Sequence, residues 1–456
     1  MRVAVVGAGP AGVRAVEQLV RAGLAPIWID EASDGGGRIY QRPPAGFRRD
    51  ARALYGFEAR RATALHAALG ALKPRTDWRP DTLVWNLRPK ARTLDLLHDG
   101  AQQAIGYDAV LLCTGAMDRV IPLPGWTRPG VTTLGAAQIA LKAQGCAIGR
   151  RVVFLGTGPL LWLAAYQYVK AGVEVAAVLD TTRFATKLAA APGLLHGPGT
   201  LAKGLYYTAW LRARRIPVAE GVVPLAIEGE ESVTALRWLD AAGAEHRTVC
   251  DAVGLGWGLK PEAQLADLAD IPFDFDPLQH NWVPRRDPTG RTSVPGVYLA
   301  GDGAGIGGAE VAERAGARAA LALLEDAGHK PDAAQVVHLD RALRRQARFR
   351  AALERAFPFP AGLAAGMADD TILCRCEAIT AGELRAAAAE PPTGPAPEVN
   401  RAKAFTRIGM GRCQGRVCGP AGAEVLAAAL GCGVAAVGRL RGQPPVKPIP
   451  MPLATA

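Results

Sequence analysis

Apolar residues from Val3 to Val6 lead into a glycine turn, GAGPAG, then into an amphipathic stretch reaching Ala22, then into the short apolar run of APIWIDE. This pattern predicts one buried strand, a helix and a second buried strand, a single βαβ unit. The order returns at RRVVFLGTGPLLWLAAYQYVKAGVEVAAVLD, which opens at Arg150. Two similar dinucleotide-binding folds are therefore expected in one chain. Between about Phe47 and Ala104 the periodicity weakens to arginine-rich helical stretches and short strands such as TLVWNL. A buried strand then ends in YDAVLLCTGA, and the Pro/Gly passage IPLPGWTRPGV reads as a crossover between domains. After VCDAVGLGWGLKP, the strand in TSVPGVYLAGD finishes on Gly-Asp, so the first domain is expected to be interrupted and resumed. Helices follow from about Ala309 to Arg355, and Phe357 to Pro360 marks a break before a small module carrying the Pro-rich insert PPTGPAPEVN.

At 456 residues the chain is too long for one hydrophobic core. The predicted fold class is α/β: two Rossmann-like domains and a small C-terminal module. The expected boundaries are 1–120 for the first part of the N-terminal domain, 121–290 for the second domain, 291–355 for the resumed first domain, and 365–445 for the module. Hydrophobic residues at 49% and charged residues at 21% describe a soluble chain rather than a disordered one. The net charge of +11 is scattered, with no basic stripe interleaved with aromatics, so nucleic acid is not an expected partner. The chain opens directly on a strand and has no apolar run of about 18 residues, so a cytoplasmic protein that is not integral to a membrane is expected.

Gly7, Gly9 and Gly12 form G-x-G-x-x-G between strand and helix, with Pro10 and Ala11 opening the helix. The first glycine makes the turn, the second admits a pyrophosphate, and the third lets helix and strand pack closely. The helix N-terminus supplies partial positive charge. Asp30 and Glu31 close the second strand, where a carboxylate accepts bonds from ribose hydroxyls; Glu31 is slightly preferred. Three features favour FAD over NAD here. The Gly36-Gly37-Arg38 turn resembles the GGQ-type loop of two-domain flavoproteins, Thr114-Gly115 stands at a strand end, and Gly301-Asp302 resembles the motif whose aspartate holds the ribityl chain. In the second βαβ unit, Gly156 and Gly158 are followed by Leu161 where a third glycine belongs, so nucleotide binding there is not favoured, although Asp180 and Arg183 stand where ribose and phosphate contacts occur.

Eight cysteines in a reducing compartment do not read as a disulfide framework. Cys374 and Cys376 form C-x-C, and Cys413 and Cys418 form C-x4-C. Four thiolates suit zinc or an iron–sulfur cluster. The single-residue spacing and a flavin in the same chain favour 2Fe-2S, and the glycines of IGMGRCQGRVCG allow backbone N–H groups to approach sulfur. Cys113, Cys146, Cys250 and Cys432 are isolated in apolar surroundings and are expected to be core residues.

VVGAGPAG, DEASDGGGRIYQR, LPGWTRPGV, GTGPLL, PGVYLAGDGAGIGG, CRCEAITAGEL and KAFTRIGMGRCQGRVCG together resemble the FAD- and iron–sulfur-containing α subunits of octopine/nopaline oxidases, hydroxyproline and proline dehydrogenases, and hydrogen cyanide synthase. Sarcosine oxidase α subunits are more distant. The resemblance covers nearly the whole chain and implies a C-terminal BFD-like 2Fe-2S module. In that family a separate flavoprotein β subunit oxidises the C–N bond, and a small γ subunit can be present. The resemblance implies that electrons reach this chain's cluster, with an interfacial FMN as one route, and continue to a quinone or another carrier, with peripheral attachment at the inner membrane through partners. The chain departs from the GGQ pattern at Arg38. No catalytic constellation is found: the seven histidines are dispersed and no C-x-x-C pair accompanies the flavin motifs. Two other functions stay open, a stand-alone NAD(P)H:acceptor reductase and a scaffold holding only an adenine nucleotide.

Overall fold

The structure, a computed structural model, describes residues 1–44, 46–389 and 398–450. The Pro-rich insert from Pro391 to Pro397 lies outside the described residues.

The strand Val3–Val6, buried at every position, pairs in parallel with Ile27–Ile29 on one side and Ala109–Leu112 on the other. Asp77–Arg79 extends one edge and Val297–Leu299 the other, completing a five-stranded parallel sheet. An apolar run without alternation is what a strand covered on both faces requires. The second sheet is also five-stranded and parallel, with the same order over four strands, but its edge strand Val131–Thr133 precedes the others in the chain where Val297–Leu299 follows them. Arg151–Thr157 is central, between Glu174–Asp180 and Ala252–Trp257, with Val218–Glu220 and Val131–Thr133 at the edges. Each sheet is accompanied by a three-stranded antiparallel meander, spanning Thr82–Gly106 and Val223–Val249.

The strands Ala116–Asp118 and Leu259–Pro261 pair antiparallel and connect the two halves. The late strand Val297–Leu299 and the helix Ala309–Asp326 return to the first sheet. That helix crosses the first helix, Pro10–Arg21, so closely that a Cβ on Gly316 would lie 2.0 Å from the Ala11 carbonyl oxygen. The short helix Gln264–Leu268 buries Leu265 and Ala266 against the first sheet. The cysteine module packs its apolar side on the second sheet and its meander, where Leu373, Ile408 and Val425 join Leu155, Trp238 and Leu255. Trp126, in the crossover passage, ties the two together by donating to the Ile372 carbonyl at 2.6 Å.

Cys113 and Cys250 are buried as expected, and Cys432 is partly buried at the core margin. Cys146 is exposed, which corrects its assignment to the core. Its backbone is used to close the helix Leu134–Ala143 by bonding to Ala140, and the neighbouring Ala147 and Ile148 supply the apolar contacts instead.

Candidate flavin and cysteine-cluster sites

The turn at Gly7 is forced by its neighbours: φ is 106° and a Cβ would meet the Cys113 carbonyl oxygen at 2.3 Å. On Gly12 a Cβ would lie 1.9 Å from the Gly7 oxygen, so only glycine lets helix and strand pack at this distance. Gly9 caps the helix without a side-chain bond and Pro10 follows at its start. The amides of the first turn are therefore left for a ligand. Gly37 faces Gly9 across this cradle, its Cβ position only 3.0 Å from the Gly9 Cα.

The remaining sequence-predicted residues close around the same point. Gly301 abuts Ala11, with 2.8 Å from its Cβ position to the Ala11 Cβ, and Gly303 meets the Thr114 hydroxyl. Asp302 accepts from the amides of Gly307 and Gly308 through Oδ1, 2.8 Å each, at the start of the helix Ala309–Asp326. Thr114 and Gly115 are tied to Glu262, by a 2.5 Å bond from the Thr114 hydroxyl to the Glu262 carbonyl and a 3.0 Å bond from the Glu262 amide to the Gly115 carbonyl.

The two acids part company. Asp30 turns inward and accepts from the Ala8 amide at 2.5 Å and the Ala32 amide at 2.8 Å, a clamp on the glycine turn itself; burial holds its carboxyl above the usual range. Glu31 stays outside the turn. It accepts from Arg38 at 3.1 Å and pairs with Lys447 of the C-terminal segment. Against the opposing effect of burial, Lys447, Arg38 and Arg416 hold its carboxyl below the usual range. Arg38 is exposed and spends its guanidinium on Glu31.

The second glycine turn differs: its helix is capped by Gly158 at φ 102°, where Gly9 of the first has φ −75°, and the space beside Gly158 is open. Gly158 and Pro159 begin its helix, and Leu161 is fully buried in the core. Asp180 is fully buried and accepts from Lys187 at 2.6 Å and from the Thr182 amide at 2.9 Å. The Lys187 ammonium also lies over the rings of Trp162 and Phe357, at 5.0 and 5.4 Å. The carboxylate that would meet a ribose is thus committed to an internal cation. Arg183 caps the next helix and lies against Gly221.

In the C-terminal module Cys374 ends a strand, Cys376 and Cys413 sit on turns, and Cys418 starts the helix Cys418–Ala429. The thiols are joined pairwise. Cys418 bonds Cys374 and Cys413, and Cys413 bonds Cys376. Shared protons push Cys418 up and bring Cys374 and Cys413 down. Against burial, the amides of Gly409, Glu377 and Cys376 also lower Cys374, and those of Val417 and Gly415 lower Cys413. Gln414 adopts φ 51°, a conformation that turns successive N–H groups inward. Gly411 is required because a Cβ there would lie 2.3 Å from the Cys376 Cβ. Among the described residues no three His, Cys, Asp or Glu side chains close around a point for a single ion. Four neighbouring thiols flanked by amide donors fit a two-iron, two-sulfur unit.

Two ion pairs that sequence reasoning missed join the module to the flavin half. Arg416, between Cys413 and Cys418, meets Glu262 at 3.1 Å. Arg439 grips Asp267 by two 2.7 Å bonds. Arg416 and Glu262 stand 154 positions apart, and neither lies in a motif for such a contact.

Residues 1–319 match the pyridine nucleotide-disulphide oxidoreductase family, and residues 372–428 match the BFD-like [2Fe-2S] binding domain. The chain belongs to the pyridine nucleotide-disulphide oxidoreductase family. The first match implies FAD and the second a 2Fe-2S cluster, and the glycine cradle and thiol row fit both groups. Within its family this oxidoreductase groups with one of the component chains of opine oxidases. It is 36% identical to the opine oxidase A subunit of Rhizobium meliloti over 97% of this chain and 85% of that one. It is 30% identical to hydrogen cyanide synthase subunit HcnB of Pseudomonas protegens over 98% of this chain and 96% of that one. The fold is shared with the crystal structure of L-proline dehydrogenase from P. horikoshii, at a TM-score of 0.70 and 19% identity, covering 99% of this chain and 78% of that chain. The resemblance seen in the sequence holds, as do the α/β fold with its C-terminal 2Fe-2S module and the FAD and 2Fe-2S cofactors. Among the described residues, no helix of this oxidoreductase is long and apolar enough to cross a membrane.

Proposed function

We propose that this oxidoreductase is the electron-transfer α subunit of a heteromeric flavin-dependent dehydrogenase or oxidase acting on the CH–NH group of an amino acid or opine, of the hydroxyproline, proline or opine class. A flavoprotein β subunit holds and oxidises the amine, and this chain passes the electrons to a quinone or another carrier. The observation that carries this reading is the Arg416–Glu262 contact, which sets the loop between Cys413 and Cys418 against the strand end bonded to Gly115. FAD and the 2Fe-2S cluster, when bound, supply the step between two-electron and one-electron transfer.

In this reading Glu31 holds the adenosine ribose of FAD, the amides after Gly9 and Gly37 receive the pyrophosphate, and Asp302 orients the ribityl chain. Cys374, Cys376, Cys413 and Cys418 ligate the cluster. FMN and a small γ subunit belong to the assembled complex, which works in the cytoplasm or at the inner membrane through its partners. The alternative, a stand-alone NAD(P)H:acceptor reductase, is disfavoured by the second glycine turn, where Leu161 replaces the third glycine and Asp180 is bound to Lys187. Two measurements test the proposal. The purified chain alone is expected to leave proline, hydroxyproline and opines unoxidised with a dye acceptor, and turnover of any of them would end the subunit reading. NADH and NADPH are expected to leave the flavin absorbance unchanged in stopped flow, whereas rapid bleaching would establish the reductase.

A further inference from the structure

Between the two cofactor regions lies a cavity of about 120 Å³. For scale, an apolar cavity of about 150 Å³ in another protein accepts benzene. One wall is the loop Gln414–Arg416, the other the segment from Lys260 to Gln264, whose Glu262 is bonded to Gly115. A small molecule held here would touch the cluster-bearing loop on one side and the flavin half on the other.

The walls suit a flat ring. Phe273, Phe275, Trp282 and Phe359 line the cavity, with Phe275 and Trp282 packed edge to face at a centroid distance of 5.6 Å. Three lining side chains keep a buried polar atom without a partner: Nε1 of Trp282, Nη2 of Arg416 and Oε1 of Gln264. The first two can only donate and the third can only accept. Buried groups of this kind cost free energy until a ligand satisfies them. The acids of the cavity are already engaged, Glu262 with Arg416, Asp267 with Arg439 and Glu424 with His280. A cationic amine would find its anions taken.

We infer that this cavity is a quinone site: a ring carrying two carbonyl oxygens, which accept from Trp282 and Arg416 and, once reduced to hydroxyls, donate to Gln264. The inference rests on the electron-transfer reading and names where the acceptor docks. The balance is that of a two-electron couple. Oxidation of the amine to the imine at the partner subunit releases two electrons and two protons, and the quinone takes up two electrons, relayed singly, and two protons to become the quinol. His280 and Glu424, bonded to each other, and Lys260 line the same cavity and are side chains able to carry a proton on this route.

Equilibrium dialysis of the full chain, loaded with FAD and iron–sulfur cluster, against 1,4-benzoquinone, a single ring on the scale of this cavity, tests the inference with no amine present. Saturable, reversible binding of one benzoquinone per chain is expected, at least tenfold tighter than binding of benzene, the same ring without carbonyls. Trp282→Phe and Gln264→Leu, each checked for retained flavin and iron, are expected to weaken benzoquinone binding at least fivefold. Absence of saturable binding, equal binding of benzene, indifference to both substitutions, or displacement of benzoquinone by stoichiometric FMN would each overturn the assignment. Amine turnover by the isolated chain would end the subunit reading and leave this binding result standing, so the two failures are separable.

Discussion

The guanidinium of Arg416 lies 3.1 Å from the Glu262 carboxylate, with only 10% and 19% of the two side chains exposed. This pair locks the cysteine loop onto the flavin half. Removing one member strands a largely buried charge, at a cost of roughly 3 kcal/mol. Arg416→Gln and Glu262→Gln are each expected to destabilise the cofactor-loaded protein in urea denaturation by about this amount, and the double variant carrying both substitutions by less than their sum. Strictly additive losses would show that the pair does not act as a unit.

The acids after the second strand separate by role. Asp30→Ala removes two charge-assisted bonds to backbone amides, so stability should fall by about 2 kcal/mol or more. Glu31→Ala removes only exposed pairing and should shift stability by less than about 1 kcal/mol, while weakening FAD binding about tenfold through the lost ribose contact. Titration of the apoprotein with FAD, followed by flavin fluorescence, distinguishes the two. Unchanged FAD affinity in the Glu31 variant would remove that residue from the site.

Cys374→Ser, Cys376→Ser, Cys413→Ser and Cys418→Ser are each expected to abolish the EPR signal of the reduced protein and to lower iron content. Cys146→Ser and Cys432→Ser should leave both unchanged. One zinc per chain with no iron would replace the two-iron assignment with a structural zinc site.

Lys142 is buried, with its ammonium bonded to the Ile39 carbonyl at 3.2 Å, and burial pushes it down to about 8. In the unfolded chain it titrates near 10.4. Between those values the unfolded state holds a proton that the folded state has released, so stability from this group rises with pH and is lowest below 8. The difference in unfolding free energy between wild type and Lys142→Met should therefore move by roughly 3 kcal/mol in favour of the wild type from pH 7 to pH 10.5. A pH-independent difference would mean that Lys142 keeps its charge in the fold.

The glycine turns, the repeated strand–turn–helix pattern and the four clustered cysteines are local features, and each was legible in the order of residues. The steric demand at Gly12 acts between a strand and a helix adjacent in sequence, so the pattern predicts that packing directly, whereas Gly7 is pressed by the distant Cys113 carbonyl. Spacing alone likewise singles out Cys374, Cys376, Cys413 and Cys418. The fold class followed because continuous apolar runs with intervening amphipathic helices have few other stable packings.

Other decisions are made by contacts between distant segments. Asp30 and Glu31 are adjacent acids with the same intrinsic chemistry, and only the tertiary position of the Ala8 amide turns one inward and leaves the other at the surface, paired with Arg38 and Lys447. Asp180 looks in sequence like a ribose acceptor and is instead fully buried against Lys187. The Arg416–Glu262 bridge and the cavity beside it depend on how the C-terminal module docks, which no local pattern encodes. Hydrophobic periodicity determines which elements form. Long-range packing decides which polar groups are spent on the fold and which are left for chemistry, because a hydrogen bond or ion pair is set by distance in space and not by separation along the chain.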